Sequence, residues 1–105
     1  MGTIMSEARI TVTVDEDLEE LIPGFLENRK KDISLLSEAL ASGDIAQIQS
    51  IGHSIKGVGG GYGFDGLSEL GAQIEMAAKE GDSSKIGEVI AEMSNYMDSI
   101  DIVYE

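Results

Sequence analysis

Residues 53–63 read HSIKGVGGGYG, and they hold the side chains of this chain best suited to chemistry. His53 is the only histidine. A neutral imidazole is a good nucleophile near pH 7. Lys56 stands three residues on, one turn away if the segment is helical. Five of the eleven residues are glycine, although a glycine inside a helix costs about 1 kcal/mol relative to alanine.

The surrounding pattern predicts a helix over 44–61. Ile48, Ile51, Ile55, Val58 and Tyr62 recur at alternating steps of three and four, which at about 100° per residue makes one stripe. His53 falls almost diametrically opposite its centre. Ala46, Gln49, Lys56, Gly57 and Gly60 lie on the His53 side. His53 is therefore expected to point outward, from a face that is otherwise small or polar. Gly57 and Gly60 project nothing over the imidazole, while Gly59 and Gly61, nearer the stripe, would allow close helix approach. A lone exposed histidine commonly does nothing, and glycine-rich helix ends are commonly caps. The argument for function is the conjunction: one nucleophile, one cation and two glycines opposite a clean core stripe. Such a face suits docking by another protein's active site better than binding of a small ligand.

The elements that must position this face are legible from caps and periodicity. Residues 9–14, RITVTV, alternate and read as a short extended segment with no evident partner. It would lie on the domain or pair with another copy. DEDLEE follows, suited to a helix N-terminus. Leu18, Leu21, Ile22, Phe25, Leu26, Ile33, Leu36 and Leu40 then form a helical stripe interrupted by Pro23. Pro23 either ends a short helix or opens the next. SGD at 42–44 and EGD at 80–82 combine a left-handed glycine cap with an aspartate N-cap. Asp65 is a further candidate N-cap. Four helices result, at about 23–41, 44–61, 65–80 and 83–103. The core faces of the last two are Leu67, Leu70, Ile74 and Ala77, and Ile86, Val89, Ile90, Met93, Met97 and Ile100. Short connections imply antiparallel neighbours. The expected fold is all-α: an antiparallel up-down four-helix bundle over 15–105, with residues 1–14 as an N-terminal extension.

Composition narrows the function. One domain is the default for 105 residues. The net charge of −13 argues against nucleic acid and against anionic membranes, and fits a soluble, cytoplasmic protein. With no cysteine and one histidine, a disulfide framework, a thiolate metal site or a zinc enzyme is not expected. The start carries no signal-peptide hydrophobic region. Met1-Gly2 followed by Ser6 fits an acylation pattern, read here as a coincidence. Of seven basic residues, three cluster as Arg29, Lys30 and Lys31. Arg29, close to the apolar stripe, is expected to edge the site. Lys30 and Lys31 are expected to form a solvated positive island that steers an acidic partner.

HSIKGVGGGYGFDGLSELGAQIE, with the run LIPGFLENRKKDISLLSEALASGDIAQIQSIGHSIKG leading into it, resembles the histidine-containing phosphotransfer domain of bacterial multistep phosphorelays. The motif is carried by His53, Ile55, Lys56, Gly57 and Gly63, and the resemblance covers roughly residues 15–100. It implies a four-helix bundle in which His53 accepts a phosphoryl group from an aspartyl phosphate on a response-regulator receiver domain and passes it to another receiver. It implies that Lys56 offsets charge on the phosphoryl oxygens, and that Gln49, Gly57, Gly60 and Arg29 belong to the partner surface. A polar residue on the following helix, often Gln, orients the imidazole in the family. Here the matching position is Glu75, with Gln73 nearby. No cofactor of its own is implied; Mg²⁺ would sit in the receiver. The chain would be a mediator without autonomous kinase activity, either a stand-alone monomer or a domain of a larger hybrid sensor kinase.

Rival readings are weaker. GYGFDG at 61–66 matches G-x-G-x-x-G but follows a helix rather than a strand, so dinucleotide binding is rejected. No G-x-x-x-x-G-K-[ST] loop is present. The rival of a different class is a helical binding module that uses the same face without phosphorylation.

Overall fold

The computed structural model describes residues 9–105. The expectations for the leader and the acylation pattern concern the first eight residues and lie outside that span. Four helices pack around one hydrophobic core: α1 (Ile22–Ser42), α2 (Ile45–Gly61), α3 (Asp65–Lys79) and α4 (Ser83–Ser99). α2 and α3 form the most extensive interface, and contacts of α1 with α2 and α4, and of α3 with α4, close the ring.

Local signals account for the helix ends. Gly43 and Gly81 take left-handed φ values of 75° and 67°. Asp44 accepts from the Gln47 N–H at 3.1 Å, and Asp82 from that of Lys85 at 3.1 Å. Asp65 is not a cap. It is the first residue of α3, and the N-cap position belongs to Phe64, which makes no side-chain capping bond. Phe64 is instead fully buried and stacked on Phe25 at 4.9 Å. Packing of a large ring outweighs a cap worth about 1 kcal/mol.

Around Pro23 both readings hold in part. A 3-10 helix, Glu16–Leu21, ends just before it, and α1 opens with Pro23 in its first turn. The change from about 3.0 to 3.6 residues per turn hands the inward position to Ile22. Leu21, expected on the core stripe, is 53% exposed.

The largest correction lies at the C-terminus. α4 stops at Ser99 instead of continuing to 103, and Ile100–Tyr104 is a strand, β2. It pairs in parallel with β1, Ile10–Val14, in the register Ile10↔Ile100 to Val14↔Tyr104. The RITVTV segment thus has its partner within the chain. Val12 and Val14 are buried in the common core, with Ile100, Ile102 and Tyr104 packed against it. Arg9 secures the switch from helix to strand. Its guanidinium donates to the carbonyls of Asp98 at 3.0 Å and Ile100 at 3.1 Å, and grips the Asp101 carboxylate at 2.8 and 3.2 Å. It therefore occupies carbonyls that a helix end leaves without partners.

The Arg9 contact, opposed by slight desolvation, holds the Asp101 carboxyl below its usual range. Its contribution is thus present above the ordinary carboxylate range and lost as pH falls through the depressed value. Arg9→Ala is expected to speed amide exchange severalfold in β1 and β2 while leaving the helices unchanged. Unchanged exchange at Val12 and Ile102 would show that the strand pair stands without the clamp.

Candidate functional site

The site forms where α2 and α3 come closest, and three glycines allow the approach. A Cβ on Gly52 would lie 2.8 Å from the Glu75 nitrogen, and one on Gly71 would lie 2.6 Å from the Lys56 nitrogen. A Cβ on Gly59 would lie 2.9 Å from the Ser68 nitrogen. All three positions are tighter than a side chain tolerates. Gly61, expected to share this role, has open space around it. Ser68 donates to the Lys56 carbonyl at 2.6 Å, a further tie between the helices.

Close approach brings Glu75, one turn after Gly71, between His53 and Lys56. His53 Nδ1 lies 3.0 Å from Glu75 Oε2, and Lys56 Nζ lies 2.9 Å from Oε1. Lys79 Nζ reaches to 3.8 Å from Oε2. The Glu75 side chain is only 12% exposed, whereas that of His53 is 68% exposed. The Lys56 hydrogen bond lowers the Glu75 pKa; partial burial opposes it, and the His53 hydrogen bond adds to the lowering. The carboxylate is therefore ionised through the neutral range and can only accept. Nδ1 must carry the proton, so in the neutral ring Nε2 keeps its lone pair. Nε2 makes no hydrogen bond within the protein among the described residues.

Beside the imidazole lies an open hollow of about 380 Å³, lined by Ala46, Gln49, Ser50, His53 and Glu75. Gln49 is thus brought to the site. Gly57 and Gly60 are exposed on the same helix, and a Cβ on Gly57 would meet nothing within 4 Å. The outward surface one turn beyond His53 is bare.

Other residues are placed elsewhere. Gln73 is exposed and makes no hydrogen bond to the imidazole; two residues from Glu75, it lies about 200° around α3. Arg29 does not line the hollow. It lies 5.1 Å over the Phe25 ring and 2.9 Å from Asp32. Burial raises the Asp32 pKa, against the opposing pull of Arg29. Lys30 lines a groove with Ile33, Ser94, Met97 and Asp98, on the α1–α4 side of the ring and not the α2–α3 side that carries His53. Lys56 lies on the His53 side as expected, with its side chain 43% exposed, and its ammonium reaches Glu75. Sequence reasoning missed Gly52, Gly71 and Lys79. The i, i+4 spacing of Glu75 and Lys79 was the available signal for the last.

The site is thus one exposed histidine on a helical domain, its inner nitrogen held by a carboxylate. The model of the Hpt domain family matches residues 14–101, and the chain belongs to that family. Its class is therefore that of phosphotransfer in phosphorelays, whose Hpt domains interact with receiver domains and kinases. No curated protein and no solved structure matches the chain. No helix among the described residues is long and apolar enough to cross a membrane.

Proposed function

We propose that His53 is the phosphoacceptor, taking a phosphoryl group from the aspartyl phosphate of one receiver domain and yielding it to the aspartate of another. The observation that carries this reading is the Nδ1–Glu75 contact at 3.0 Å on an otherwise exposed ring. It fixes the tautomer whose Nε2 lone pair faces outward.

In the forward step, Nε2 attacks phosphorus in line. The bond from phosphorus to the aspartyl oxygen breaks, and the electron pair leaves with the receiver's carboxylate. No proton need move, because Nδ1 already holds the only ring proton. The ring gains positive charge as the P–N bond forms, and Glu75 faces that charge. In the reverse sense the imidazole leaves neutral, since Nδ1–H is retained. Positioning and charge stabilisation supply most of the catalysis in such transfers. The Mg²⁺ that assists belongs to the receiver in this reading.

The bare surface at Gly57 is the receiver's approach. Gly57→Glu is expected to cut transfer from a phosphorylated receiver at least tenfold, while phosphorylation by the small donor phosphoramidate stays near the wild-type rate. Equal transfer from the receiver would remove Gly57 from the docking surface. The reading itself is tested with a panel of phosphorylated receivers mixed with the chain. An acid-labile, alkali-stable label on His53 is expected; a folded chain that takes none from any receiver would favour the phosphate-independent binding module.

A further inference from the structure

Glu75 has two lysine partners, one on each oxygen. Lys56 holds Oε1 at 2.9 Å, and Lys79 stands 3.8 Å from Oε2, the oxygen that also accepts from His53. The remaining titratable neighbour is His53 itself. α4, on the other side of α3, places no charged group in contact with Glu75 among the described residues. Both lysine side chains are about half exposed, at 43% and 53%, while Glu75 is 12% exposed. The carboxylate is therefore the fixed element and the ammonium groups are the movable ones.

We propose that Lys79 is a positioning residue for the transfer: it serves as the second counter-ion of Glu75, and so lets Lys56 swing from Glu75 to the phosphoryl group on His53. The inference rests on the phosphoacceptor reading. A phosphoryl group at Nε2 brings about two negative charges beside Lys56. If Lys56 were the only counter-ion, its departure would leave an ionised, partly enclosed carboxylate against the ring alone. Lys79 removes that penalty, and its place four residues after Glu75 is the favourable orientation for such a pair.

The test uses the full chain with ¹³C-labelled glutamate. In Lys79→Met the midpoint of the Glu75 carboxyl titration is expected to move alkaline, because loss of a nearby cation favours the protonated carboxyl. Lys79→Arg is expected to restore it. The rate of phosphorylation by phosphoramidate is expected to fall about threefold in Lys79→Met, and not at all when Lys56→Met is already present. An unmoved midpoint overturns the counter-ion role. An equal loss of rate with and without Lys56 overturns the exchange. A wild-type chain that takes no phosphoryl group overturns the phosphoacceptor reading and the exchange with it, while the titration still decides whether Lys79 acts on Glu75.

Discussion

His53→Gln is expected to abolish phosphoryl acceptance and leave the protein folded. The His53 side chain is 68% exposed, and its hydrogen-bond partner among the described residues is Glu75. Its loss opens no cavity, and surface changes of this kind usually stay within about 0.5 kcal/mol. A glutamine amide can still donate to Glu75, and the two lysines still neutralise that carboxylate. What disappears is the lone pair at Nε2, for which an amide nitrogen is no substitute as a nucleophile. Label from any phosphorylated receiver should drop to background, with the urea midpoint unchanged. Label retained in the variant would locate the acceptor elsewhere. A large loss of stability would contradict the outward orientation of the ring.

The second large effect concerns Gly71. Glycine to alanine inside a helix ordinarily stabilises by about 1 kcal/mol. Gly71→Ala is expected to do the reverse, by roughly 1–3 kcal/mol. The new Cβ would lie 2.6 Å from the Lys56 nitrogen and 2.9 Å from the Gly52 oxygen. Both are backbone atoms of α2, which no rotamer change can move aside. Relief requires α2 and α3 to separate, and that separation carries Glu75 away from His53. A loss of phosphorylation rate should therefore accompany the loss of stability, although Gly71 touches no reacting atom. Gly57→Ala is the control. It lies in mid-helix in open space, so it should gain about 0.5–1 kcal/mol. Urea denaturation of both variants checks the pair; a Gly71→Ala chain more stable than the wild type would refute the close-packing account.

These two residues also divide the glycines of the histidine region by what they do. Gly57 leaves a stretch of α2 surface bare. Gly52, Gly59 and Gly71 bring two helices close enough for a glutamate on one to reach a histidine on the other. The bareness of that surface was legible from the helical wheel, since it depends only on which residues share a face. The close approach was read correctly at Gly59 and wrongly at Gly61, and Gly52 and Gly71 were passed over. A single helix pattern does not say which flank its neighbour covers.

The sequence by itself determined the four helices, the glycine and aspartate signals at two of their junctions, the core stripes and the outward direction of His53. Each of these follows from interactions within a few residues: capping bonds, left-handed turns and a period of 3.6. Tertiary structure decided the rest. IDIVY continues the α4 stripe through Ile100 yet also alternates as a strand, so its local pattern serves either state. Pairing with Ile10–Val14 from the other end of the chain, together with the Arg9 grip on the end of α4, selects the strand. Likewise, the family resemblance implied Glu75, with Gln73 nearby, for the imidazole, and the glycine-set closeness of α2 and α3 presents Glu75. The same closeness puts the Glu75 carboxylate 2.9 Å from the Lys56 ammonium, whereas Lys79, one turn on along α3, stands 3.8 Å from it by helix spacing alone.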